Sequence, residues 1–144
     1  MSWQNLENEN PELAQTGQRR LHGRVSYLAT VRSNGAPRVH PVTPIIGEGR
    51  LFVFMEPTSP KGKDLVRYGR YALHCGVENT SGGEGEFYVW GSAHLITDAA
   101  TRALAVQVSS YQPAERYILF ELDVDRARGT TYGEEGPVHQ SWSA

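Results

Sequence analysis

Residues 25–46 read VSYLATVRSNGAPRVHPVTPII, two extended runs about one turn. Val25 to Val31 carries no charge and is dominated by β-branched and aromatic residues, the composition of a mostly buried strand. Ser33-Asn34-Gly35 follows. Asparagine and glycine tolerate the positive φ that a tight hairpin demands, so the chain reverses here and the next strand pairs back antiparallel. That strand reads as one run, Pro37 to Ile46. Its prolines at 37, 41 and 44 lack the N–H that a ladder needs, which places the strand at a sheet edge or bulges it where they fall.

Downstream, Gly47-Glu48-Gly49 turns the chain into Arg50 to Met55 (RLFVFM), so the first three strands are expected to form a meander. A short helix from Ser59 to about Tyr68 comes next. Tyr71 to Val77 and Phe87 to Ile96 (FYVWGSAHLI) read as strands separated by the glycine-rich SGGEGE, and Tyr117 to Val124 (YILFELDV) as a sixth. Short extended pieces are expected within Val138 to Trp142. Upstream, residues 1–23 form a helical segment whose main helix runs from Asn10 to His22, with Asn as cap, Pro at the first position and Leu13 and Leu21 on one face. Asp98 caps a second helix, Ala99 to Val108, with Leu104 and Val108 on a common face. Short, closely spaced strands and few helices describe a mainly β chain, a small antiparallel barrel with Greek-key-like connections, in one domain over residues 1–144.

The formal net charge of −2 lacks the basic excess of a general nucleic-acid or membrane-surface binder, so an anionic ligand would have to be met locally. Cys75 has no partner for an internal disulfide, and MSWQNLENEN lacks the basic start and apolar run of a signal peptide, so a cytoplasmic location is expected. No apolar run reaches the roughly 18 residues that span a bilayer.

Most catalytic templates fail. There is no nucleophile elbow and no Walker loop, and Gly47-Glu48-Gly49 precedes a strand, which makes it a hairpin turn and not a dinucleotide loop. His74 and Cys75 are adjacent on a strand and point to opposite faces, so they cannot share a metal, and no other spacing offers a metal site. Glu84 and Glu86 read as a solvated loop. Tyr88 and Trp90 share a face, suited either to packing or to stacking on a planar ligand.

TSPKGKDL, residues 58–65, is different. Ser59 suits the N-cap and Pro60 the first helical position, yet Lys61 and Lys63 then stand in the first turn, where the macrodipole is already positive and acids are favoured. Orphan N–H groups, a hydroxyl and two ammonium groups together make a phosphate-type anion site. Arg38 and His40, alternating on the proline-rich strand, are expected to project toward the same cleft.

Ala29 to Val42 (ATVRSNGAPRVHPV), together with LFVFMEPTSPKGKDLVRYGRYAL, resembles the pyridoxamine 5′-phosphate oxidase-like, FMN-binding split-barrel family, over roughly Pro11 to Ile96. The resemblance implies a six-stranded antiparallel split β-barrel, a homodimer with flavins at the subunit interface, and redox chemistry carried by FMN on a small-molecule substrate or a nicotinamide donor. It implies that Arg38, Val39, His40, Pro41 and Val42 lie along the ring and ribityl chain, that Phe54 and Met55 also touch the flavin, and that Ser59, Lys61 and Lys63 hold the phosphate. Pro60 stands where arginine is common in the family. Gly91 matches a glycine at a bulge or close approach, and Val138 to Trp142 a closing strand. The substrate-holding C-terminal segment of true pyridoxamine phosphate oxidases has no match. Split barrels of the wider family that bind a deazaflavin coenzyme or haem are the alternative, as is a flavin carrier without catalysis.

Overall fold

The structure, a computed structural model, describes residues 2–81, 83 and 85–144. In chain order its elements are α1 (Trp3–Glu9), α2 (Pro11–Leu21), β1 (Ser26–Val31), β2 (Pro37–Val42), β3 (Ile45–Gly47), β4 (Arg50–Met55), α3 (Pro60–Arg67), β5 (Arg70–Cys75), β6 (Glu86–Ile96), α4 (Ala99–Val108), β7 (Ile118–Gly133) and β8 (Gly136–Ser143). Glu84 of the sequence reading lies outside the described residues.

The strands form one antiparallel sheet in the order β2-β1-β5-β6-β7-β4-β3, with β8 on β7. The split-barrel class expected from the sequence holds, with eight strands among the described residues instead of six. Part of the difference lies in residues 37–46, expected as one strand. The ladder stops at Val42 and resumes at Ile45, because Pro44 supplies no N–H and fixes φ at the bend. The first half pairs with β1 and the second with β4. The three-strand meander is thus replaced by two hairpins, β1–β2 and β3–β4, at opposite ends of the sheet. Since only Thr43 and Pro44 separate those ends, the run that looked like one strand closes the barrel.

The other difference is C-terminal. β7 continues nine residues beyond Val124, the expected end, to Gly133, and β8 returns along it from Gly136. Polar DRARGTTYG conceals this extension, but Ala127 and Gly129 are buried while Arg126 and Arg128 are exposed, the alternation of a half-buried strand. At Gly91 the register with β7 shifts, and a Cβ there would lie 2.1 Å from the Asp123 carbonyl oxygen, so the expected close approach is present.

The inward face of the sheet carries a row of directly opposed residues, Leu28, Leu73, Val89, Ala127 and Trp142, all buried. α2 covers one opening with Leu13 and Leu21, and α1 adds Trp3, edge-on to Phe87 at 5.9 Å. A second cluster, Ile45, Phe52, Phe54, Ala105 and Leu119, lies under α4. Leu104, expected on the buried face of α4, is only partly buried. Ala105 is fully buried and, with Val108 three residues on, defines the stripe that meets the sheet. Among the described residues no helix is long and apolar enough to cross a membrane.

Candidate functional site

α3 starts as its sequence predicts. Ser59 is extended (φ −65°, ψ 136°), and its Oγ accepts the Gly62 N–H at 3.2 Å, with Pro60 following. Its carbonyl accepts the Lys63 N–H at 3.3 Å. No acidic residue stands in this first turn. Gly62 lets the turn lie close over the end of β4, since a Cβ there would meet Met55 Sδ at 3.1 Å.

Lys61 and Lys63 lie on different sides of this turn. Lys61 is buried, 9% exposed, and among the described residues it has neither a hydrogen bond nor an ion pair. Desolvation pushes its ammonium below the ordinary lysine value of 10.5. Lys63 is exposed and lines an open cleft of about 330 Å³ between α3, β2 and the β1–β2 turn. Arg32, Arg38 and Arg67 line the same cleft, so four cations face a single carboxylate, Asp64.

Asp64 is 6% exposed. Its Oδ2 accepts Arg38 Nε–H at 2.7 Å and the Thr30 hydroxyl at 2.8 Å. Burial raises the carboxyl, but the hydrogen bonds from Arg38 and Thr30 and the charges of Arg38 and Arg67 outweigh it, and the group is held below its usual range. Arg67 donates to the Val31 carbonyl oxygen. The cleft is therefore basic and fixed at one side by a hydrogen-bonded brace.

The other residues singled out by the sequence are distributed as follows. On β2, Arg38 pairs opposite Thr30, His40 opposite Leu28 and Val42 opposite Ser26. His40 is exposed, with Nδ1 3.0 Å from the Pro41 carbonyl oxygen, and is not part of the cleft lining, while Val42 is buried. Val39, 64% exposed, and Pro41 occupy the other side of the strand. Met55 lies in the main core beneath α3, whereas Phe54 joins the cluster under α4, with the Arg102 guanidinium 5.2 Å from its ring centroid. Arg32, Asp64, Arg67 and Thr30 were not singled out by the sequence. Two signals could have found two of them: Arg67 lies four residues after Lys63 on one helix, and pairing about the Asn34-Gly35 turn sets Thr30 opposite Arg38.

Tyr88 and Trp90 share the outer face of β6 and stack on one another (centroids 5.5 Å apart). His74 stacks on Tyr88 at 5.4 Å, and its Nε2 lies 3.3 Å from Glu86 Oε2. Arg128 and Arg126 stand directly opposite Tyr88 and Trp90 on β7. No group of three or more metal-binding side chains occurs among the described residues.

Neither a protein-family model nor a curated protein matches the chain. Solved structures do. A haem-binding protein from Mycobacterium smegmatis superposes with a TM-score of 0.68 at 20% identity over 87% of this chain, which spans 55% of that protein. A NimC/NimA family protein from Clostridium acetobutylicum gives 0.68 at 19% identity, covering 98% of this chain and 96% of that one. A third, from the same organism, is related to general stress protein 26 of B. subtilis and described as of the pyridoxinephosphate oxidase family. It gives 0.61 at 11% identity over 95% and 94%. The fold is that of the pyridoxamine 5′-phosphate oxidase-like split barrels. At these identities the likeness is one of fold, and the chemistry of the site rests on the residues above.

Proposed function

We propose that this split barrel binds FMN and works as a flavin-dependent oxidoreductase on a small-molecule substrate. The observation that carries the proposal is Lys61, a largely buried side chain whose ammonium has no hydrogen bond or ion pair among the described residues, at a helix start that already favours anions. A dianionic phosphate would supply the missing charge, and Ser59 and Lys63 belong to the same turn. Arg38 in the adjoining cleft compensates for Pro60, the position where the family commonly has arginine, because its terminal guanidinium nitrogens have no acceptor among the described residues. β2, with Val39, His40 and Pro41 exposed, offers a strand along which a planar ring can lie.

When bound, the flavin supplies hydride or electron transfer through its N5, with a nicotinamide or an organic substrate as the other party. The chain's part is to hold the phosphate, orient the ring and exclude water from it. The exposed apolar side chains of Val25, Tyr27 and Val39 favour a second copy of the chain over the β1–β2 face, giving a homodimer with the cofactor at its interface.

Haem is the second reading, favoured by the similarity to the mycobacterial haem-binding protein. The anion site accommodates carboxylates as well as phosphate, so a deazaflavin coenzyme is compatible too. The test is a visible absorption spectrum of the protein after separate incubation with FMN, deazaflavin coenzyme or haem and removal of unbound ligand. Retention of FMN, followed by reduction with turnover by a nicotinamide, supports the proposal. Retention of haem alone, or of nothing, overturns it.

A further inference from the structure

Asp64 runs against the simplest design for an anion site. It sits on the helix whose start attracts negative charge, is nearly inaccessible to water, and among the described residues contributes the only carboxylate to a cleft lined by four cations. A site that needed only net positive charge would be better served by a neutral residue, since the acid subtracts from the field that a phosphate would feel.

The hydrogen bonds supply a different reason. Thr30 and Arg38 are directly opposed on β1 and β2, and one oxygen of Asp64 accepts from both. α3 is thereby fastened to both strands of the hairpin at the point where Arg38 leaves the edge strand. A guanidinium carries its five N–H bonds in one rigid plane, so engaging Nε fixes that plane. What remains is the pair of terminal nitrogens, which have no acceptor among the described residues. An arginine held this way presents a ready fork to a tetrahedral oxyanion, whereas an arginine free in water must surrender its rotamer freedom on binding.

We infer that Asp64 is a positioning residue for phosphate recognition: by holding Arg38 through Nε, it aims the terminal guanidinium nitrogens at the ligand's phosphate and makes the site selective for phosphorylated over unphosphorylated ligands. This rests on the phosphate reading above. Thr30 completes the brace by donating to the same carboxylate oxygen, which fixes the orientation of Asp64.

The experiment is an equilibrium titration with FMN and with riboflavin, which differ by the phosphate, on the wild type, Asp64→Asn, Arg38→Ala and the double variant. The wild type is expected to prefer FMN. Asp64→Asn should lose about tenfold in FMN affinity with riboflavin affinity unchanged, and the double variant should bind FMN no more weakly than Arg38→Ala alone, the non-additivity of residues that act as a unit. An Asp64→Asn protein that keeps the wild-type FMN-to-riboflavin ratio overturns the positioning role, as do losses that simply multiply in the double variant. A loss shared equally by both ligands assigns Asp64 to the fold alone and also overturns it. Should Asp64→Asn fail to fold, Arg38→Lys decides: it keeps the charge and removes the fork, so retained FMN affinity contradicts the inference and a phosphate-specific loss supports it. A wild type that does not distinguish the two flavins refutes the phosphate reading itself, and the role of Asp64 falls with it.

Discussion

α2 and α3 begin alike and diverge within one turn. Asn10 caps α2 by accepting the Leu13 N–H at 3.2 Å, and Ser59 caps α3 through the Gly62 N–H at 3.2 Å; each is followed by proline. α2 then places Glu12 in its first turn and Arg19 and Arg20 in its last, in accord with the helix dipole. α3 places Lys61 and Lys63 in its first turn with no acid, and only Arg67 at its end agrees with the dipole. The side chains of α2 are used within the fold: Leu13 and Leu21 enter the core, and Arg20 donates to the carbonyl oxygens of Gly76 at 2.8 Å and Gly85 at 3.1 Å. Lys61, also largely buried, has no such use among the described residues. Cap and charge therefore carry separate information: the cap says where a helix begins, and the charge pattern says whether that beginning serves the fold or something outside it.

The comparison breaks most visibly in the core. Leu21→Ala on α2 should cost about 2–5 kcal/mol of stability in a denaturant titration, because the side chain is fully buried. The FMN-to-riboflavin preference of the protein that remains folded should be unchanged. Lys61→Ala on α3 should do the reverse. FMN affinity is expected to fall by about 1.5–3 kcal/mol, the scale of a charge-assisted hydrogen bond, while stability changes little because Lys61 makes no hydrogen bond or ion pair among the described residues. Unchanged affinity would mean that the two helix starts do not differ in purpose.

A finer version substitutes the caps. Asn10→Ala and Ser59→Ala should each lower stability by about 1 kcal/mol, measured by thermal or chemical unfolding, but only Ser59→Ala should also weaken FMN binding. Equal effects of the two on binding would put the difference between the helices elsewhere.

Much of this arrangement was legible in the sequence wherever the signal was local. The hairpin about Asn34-Gly35, the cap and first residue of α3 and the span of α4 are all written in neighbouring residues. The fate of residues 37–46 was not: three prolines announce a disturbed strand, but the edge that each half joins depends on β1 and β4, which the proline pattern does not describe. β7 beyond Val124 was hidden for a related reason, since Arg126 and Arg128 look like a polar turn until β6 and β8 flank them.

The site divides in the same way. Lys61 and Lys63 stood out because they violate a local rule. Asp64 did not, because an acid on a short exposed-looking helix violates nothing until Arg38 and Thr30 are brought to it from 26 and 34 residues away. Phe54 and Met55 are adjacent in sequence, yet alternation along β4 sends them to different clusters, which only the sheet reveals.

The most direct test of the account is the ionisation of Lys61 itself, followed by the carbon resonance next to its amine through an alkaline titration, with and without saturating FMN. Desolvation without a partner holds this group below 10.5 in the free protein, and a bound phosphate favours the charged form, so FMN should move its midpoint upward. By the same linkage, FMN affinity should decline as pH rises through the free-state midpoint, and Lys61→Arg should abolish that decline. A lowered midpoint that FMN raises would place the phosphate at the start of α3. A midpoint indifferent to bound FMN would contradict the account, leaving Lys61 a partly desolvated charge without a ligand.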